Sequence, residues 1–145
     1  MMKKIFTVLA LITISLRSFA PGNQVMFICA GDVAHPFEAL WQAVCAVESS
    51  GNSKAYNELG NAVGIAQIRQ IRLDDYNHRA GKSYKLDQMY DPDKSKEVFL
   101  YYASTLKTMS FEVVCRLWNG GPRGMSKEQT LIYFSKIQKH LNQTT

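Results

Sequence analysis

The chain has 145 residues, 46% of them hydrophobic and 20% charged. That length fits one domain, and that balance excludes a disordered or low-complexity polymer. Its 17 Lys+Arg and 12 Asp+Glu give +5, but Lys3, Lys4 and Arg17 lie in the first twenty residues, so the rest carries 14 basic against 12 acidic groups, or +2, too mild an excess to point to nucleic acid.

The opening stretch, MMKKIFTVLALITISLRSFA, reads as a signal peptide over residues 1–20. Lys3 and Lys4 make a positive n-region, Ile5 to Leu16 is an uncharged, mostly apolar run, and Ser18-Phe19-Ala20 has the small-x-small form of a cleavage site. A run of that length covers about 18 Å as a helix, short of a bilayer core of about 30 Å. Pro21 is awkward after a cut, and a second apolar patch, VMFICA, stands at 25–30. Cleavage as late as residue 30 and an uncleaved membrane anchor are therefore the alternatives. The leader implies export, to the periplasm, the cell envelope or the extracellular space, with residues 31–145 as the folded domain; membrane association is expected only if the leader is retained.

Beyond the leader the elements are mainly helical. Pro36 to Ser49 reads as a helix with Pro36 in its first turn and Phe37, Leu40, Trp41, Val44 and Val47 on one stripe. Gly51-Asn52 stops it. Residues 53–73 look irregular, with a brief strand or hairpin near GIAQIRQI. Asp74-Asp75 can open a short helix ending near Gly81. Asp91-Pro92 is an N-cap followed by proline at the first helical position, and that helix runs to about Lys107. Ser110 caps the next, which carries Phe111, Val114, Cys115 and Trp118 and ends at WNGGPRG. Ser126 and Gln129 form a capping box for a last helix bearing Leu131, Phe134, Ile137 and Leu141. Five helices and at most one small β-hairpin give a compact, mainly α (α+β) domain.

The cysteines, Cys29, Cys45 and Cys115, are odd in number, so at least one thiol is unpaired or intermolecular. Cys45 and Cys115 fall on apolar helical segments and read as buried small hydrophobes, with a Cys45–Cys115 bridge as the alternative. His35, His78 and His140 are scattered and no C-x-x-C pair occurs, so no metal site is expected.

One carboxylate is out of pattern. At about 100° per residue, Glu48 projects about 40° from Val44, on the buried stripe where the first helix ends. Desolvation there, and the negative end of the helix dipole, raise a carboxyl pKa, as a general acid near neutral pH requires. The bland reading is a surface charge snorkelling at a helix end.

The surrounding segments resemble a known family. AVESSGN resembles the Glu-Ser signature of soluble lytic transglycosylases and goose-type lysozymes. Gly64-Ile65-Ala66-Gln67-Ile68 looks like the family's Gly-x-x-Gln-apolar motif, and Trp118-Asn119-Gly120-Gly121 like its aromatic-Asn-x-Gly motif. Tyr133 stands where the family often has a late substrate-contacting tyrosine. The segments occur in the family's order over roughly Phe37 to His140.

The resemblance implies a lysozyme-like domain with a substrate cleft. It would cut glycan strands of peptidoglycan at the β-1,4 bond between N-acetylmuramic acid and N-acetylglucosamine, with Glu48 as the catalytic acid and base and a 1,6-anhydro ring as product. The resemblance implies no metal or cofactor. Ser49 is a candidate to orient Glu48 or to cap. Gln67 would contact the N-acetyl or muramoyl groups or bond its own loop, and Asn119 would bond Glu48 or sugar or form a turn. Tyr133 would be cleft wall or core, and Gly64 belongs to the motif. Tyr56 and Tyr84 are loop aromatics that could line sugar subsites, whereas Trp118 reads as core.

Most glycosidases need a second carboxylate. Goose-type lysozymes place an Asp directly after the Gly-x-x-Gln-apolar motif; here Arg69 occupies that position, Asp74 and Asp75 come later, and Glu58 lies in the preceding loop. That favours single-glutamate transglycosylation over lysozyme-type hydrolysis. A non-catalytic wall-binding module is the reading from a different class. A monomer is expected, and small members of the family often serve an envelope-spanning secretion or conjugation apparatus, a further candidate partner.

Overall fold

In a computed structural model, residues 35–143 are described. The proposed leader, both cleavage positions and Cys29 lie outside them. The elements are α1 (Glu38–Ser49), three short strands, β1 (Tyr56–Asn57), β2 (Ala62–Val63) and β3 (Ile68–Arg69), then α2 (Gln70–Ala80), a 3-10 turn at Leu86–Tyr90, α3 (Pro92–Thr105), α4 (Phe111–Gly120), a second 3-10 turn at Gly121–Ser126, and α5 (Glu128–Gln143). The mainly α expectation stands. None of the described helices is long and apolar enough to cross a membrane.

The core grows from the first helix's stripe. Leu40 and Val44 are fully buried, and Trp41 nearly so. Trp41 packs against Phe99 of α3 at 5.5 Å between ring centroids, and Phe99 meets Trp118 of α4 edge-on at 5.1 Å. Aromatic pairs in those offset and edge-on arrangements add to the burial of their apolar area. Val114, Cys115 and Ile137 complete the contact of α1, α4 and α5. Cys45 and Cys115 are both buried and free, and burial pushes each thiol's pKa up to about 12.

The β region is one strand larger than a hairpin. The three strands pair antiparallel in chain order, with Tyr56 opposite Val63 and Val63 opposite Ile68. Strands two residues long carry no alternation for a period to reveal. They are made by their turns. The side-chain oxygen of Asn57 accepts from the Gly60 amide at 3.1 Å, and Asn61 takes a left-handed φ of 42°, both turn habits of asparagine.

Three helix starts differ from expectation. α1 begins at Glu38, so Pro36 lies in the turn before it and not in its first turn. α2 begins at Gln70, with no side-chain cap on its first turn, so Asp74 and Asp75 sit inside it rather than opening it. The Ser126–Gln129 capping box does not form. Residues 121–126 wind into the 3-10 turn, the Ser126 hydroxyl donates back to the Arg123 carbonyl, and α5 starts at Glu128. The Asp91 and Ser110 caps are present, accepting from the Asp93 and Val113 amides.

Candidate functional site

Helix α1 ends because Ser50 and Gly51 take left-handed conformations (φ 55° and 78°) and turn their amides back onto the Ala46 and Cys45 carbonyls. Glu48 is thereby fixed in the last turn of the helix, at the end of its buried stripe. Tyr133, from the middle of α5 and itself buried, donates its hydroxyl to Glu48 Oε1 at 2.8 Å. Burial pushes the Glu48 carboxyl above its ordinary range. The Tyr133 hydrogen bond and the Arg69 guanidinium pull the other way without cancelling that rise. Glu48 thus tends to hold its proton where an exposed glutamate would have lost it.

The carboxyl lines a cavity of about 350 Å³. One wall is the sheet and the start of α2: Asn57, Ala62, Gln67, Ile68, Arg69, Ile71 and Arg72. The other is the end of α4 with the second 3-10 turn and the residue that follows it: Trp118, Asn119, Gly120, Gly121 and Lys127. Glu48 is the only acid among these lining residues. Asp74 accepts from the Gln70 side chain, Asp75 is paired with Arg79, and Glu58 is an exposed turn residue. None of these three lines the cavity.

The cavity brings together Glu48, Gln67 and Asn119. Gln67 holds a left-handed φ of 50°, and its amide nitrogen donates to the Gly64 and Ala55 carbonyls at 3.0 and 3.4 Å. It bonds its own loop while also lining the cavity. Asn119 is exposed on the rim and makes no hydrogen bond to Glu48, whose side-chain partner is Tyr133. Trp118 is core that also reaches the cavity.

The remaining candidates sit elsewhere. Tyr133 is core, reaching the site only through its hydroxyl. The Ser49 hydroxyl donates to the Ile65 carbonyl at 2.8 Å and to Cys45 at 3.3 Å, tying the end of α1 to the 64–67 loop. Gly64 is buried, with φ of 79°. A Cβ there would lie 1.9 Å from the Met89 carbonyl oxygen, so the glycine permits the loop's close approach to the first 3-10 turn. Tyr56 is half-exposed and bonds Asn61, and Tyr84 donates to Glu97. Ser49, Gly64, Tyr56, Tyr84 and Tyr133 are absent from the lining.

Two lining cations were not singled out from the sequence. Arg72 donates to the Trp118 carbonyl at 3.2 Å and the Leu117 carbonyl at 3.4 Å, with its guanidinium 3.9 Å from the Tyr102 ring centroid. Lys127 donates to the Gly120 carbonyl at 2.8 Å. Both serve the open carbonyls at the C-terminal end of α4, where positive charge is favoured. Their partners lie in another element in each case, so no local spacing marks them.

Residues 27–138 match the family model for the transglycosylase SLT domain. No curated protein and no solved structure gives a significant match. The family match spans most of the chain, and the chain belongs to the transglycosylase SLT domain family.

Proposed function

We propose that this member of the SLT family is an exported lytic transglycosylase that cuts peptidoglycan between N-acetylmuramic acid and N-acetylglucosamine, with Glu48 as its sole catalytic carboxylate. The observation that carries the reading is the Glu48 carboxyl itself: desolvated, held by Tyr133, and the only acid lining the cavity. The raised pKa biases the group toward the protonated form that a general acid requires.

In the first half of the reaction Glu48 gives its proton to the glycosidic oxygen, and the bond from that oxygen to the muramoyl C1 breaks. The neighbouring N-acetyl group stabilises the positive charge that develops at C1. In the second half the Glu48 carboxylate removes the proton of the C6 hydroxyl. That oxygen bonds to C1 and closes the 1,6-anhydro ring, leaving Glu48 protonated as it began. Water is not consumed, which agrees with a cavity lacking a second carboxylate to activate it. Tyr133 steadies the carboxyl through both halves. Gln67 and Asn119, which also line the cavity, are the residues this reading gives to sugar contact.

The test is the product. Purified peptidoglycan digested with the mature chain should give anhydromuropeptides by mass spectrometry, and Glu48→Gln should give none. Ordinary reducing ends would replace this reading with lysozyme-type hydrolysis. Binding of glycan strands without any cleavage would replace it with a wall-binding module. Mass spectrometry of the processed N-terminus checks export and locates the cut.

A further inference from the structure

The cavity has a charge that its neutral-sugar chemistry does not require. Its lining includes three cations, Arg69, Arg72 and Lys127, against the single acid Glu48. The lysine and arginine side chains in ion pairs among the described residues are Arg79, Lys82, Lys94, Lys96 and Arg116, each with its own Asp or Glu. None of the three cavity cations is in that set. Arg72 and Lys127 are instead held by carbonyl oxygens at the end of α4. A carbonyl fixes their position without neutralising their charge. Arg69 is exposed at the start of α2, with its guanidinium beside Gly60.

Sugar hydroxyls and N-acetyl groups are met adequately by neutral donors and acceptors. Three cations outside every ion pair among the described residues suit an anion, and the planar fork of arginine suits a carboxylate best. The nearest anion available on a muramoyl glycan is a carboxylate, either the free lactyl acid or an acid of an attached peptide. We propose that Arg69, Arg72 and Lys127 form a carboxylate-selective subsite, so that the chain selects acid-bearing glycan strands over neutral ones. This rests on the glycan reading above and adds to it a preference set by charge. Arg69 contributes most to selection, because it alone of the three has no carbonyl holding it.

Binding is read in Glu48→Gln, so that strands stay intact during the measurement. Calorimetric titration uses three ligands: peptide-bearing strands, peptide-free strands with free lactyl acids, and the peptide-free strands after amidation of those acids. Acid-bearing strands are expected to bind roughly tenfold or more tighter than amidated ones at low salt, a gap that narrows as salt rises. Adding Arg69→Gln or Lys127→Gln should shrink that ratio toward one by weakening the acid-bearing arm. A preference confined to the peptide-bearing strands locates the carboxylate on the peptide, and one shared by both unmodified strands locates it on the lactyl group.

Equal affinity for acid-bearing and amidated strands overturns the subsite even if cleavage is normal, and so does an unchanged ratio in both cation variants. Failure to bind any strand, with no cleavage by the native chain, overturns the glycan reading as well. Circular dichroism of each variant separates loss of selection from loss of fold.

Discussion

Two carboxylates in this molecule are hydrogen-bonded by tyrosine, and their proton affinities shift in opposite directions. Glu97, on α3, accepts from Tyr76 at 2.5 Å and Tyr84 at 2.8 Å and pairs with Lys82 at 3.0 Å. Those bonds hold its carboxyl below the usual range, and its side chain remains 41% exposed. Glu48 accepts from Tyr133 alone, in a far drier place, and its carboxyl rises. A tyrosine hydroxyl stabilises the anion in both. The number of donors and the water left behind decide the sign. One corner is built to keep a charge, the other to keep a proton.

The strongest way to break this contrast is Glu48→Gln, which retains the shape and the Tyr133 partner but removes the transferable proton. Release of anhydromuropeptides should fall by roughly 10²–10⁴-fold. Residual turnover near that of the native chain would remove Glu48 from the chemistry.

Tyr133→Phe sharpens the contrast by deleting the one donor. It should cost about tenfold in turnover, in line with about 1.4 kcal/mol for a lost bond to a charged group. It should also move the alkaline limb of the pH–rate profile upward, because the bond it removes lowers the Glu48 pKa. A downward move would contradict the assigned direction.

Glu97→Gln tests the other corner. It should destabilise the fold by about 1 kcal/mol at pH 7, kept small by the group's exposure. Because folding lowers the Glu97 pKa, its contribution is present above the ordinary value of 4.5 and is lost as pH falls through the folded-state value. Melting curves of the native chain and Glu97→Gln should therefore converge as pH falls below 4.5, with kcat unaffected at pH 7.

The smallest effect is the mirror image of that one. Folding raises the Glu48 pKa, so its contribution to stability is intact below 4.5 and declines as pH rises through the folded-state value. Glu48→Gln should melt above the native chain at pH 8 and level with it at pH 4. The reverse ordering would mean the carboxyl is better solvated than its surroundings indicate.

Much of this site is legible as period and punctuation. The helical wheel alone sets Glu48 on the buried stripe, and the Asp91-Pro92 and Ser110 signals give two helix starts correctly. What the sequence withholds is long-range. Tyr133 lies 85 residues from Glu48, and neither Arg72 nor Lys127 sits in a local pattern that announces the α4 carbonyls each one meets. Short-range reading also fails where a start carries no cap, as at Gln70, or where a 3-10 turn absorbs a capping serine, as at Ser126. Arg69 is a mixed case. Its position after the Gly-x-x-Gln motif is plain in the sequence, whereas its place in an unpaired cationic cluster emerges only once the chain is folded.

The Ser49 hydroxyl, bonded to the Ile65 carbonyl, spans the gap between the residue beside the acid and the loop that carries Gln67. Through it the last turn of α1 and the 64–67 loop form one cooperative unit. The amides of Gly51 and Gln67, bonded to Cys45 and Gly64, should then exchange with deuterium in concert, and Ser49→Ala should uncouple them. Loss of that concert in Ser49→Ala would show that this one bond keeps the acid and the loop in register.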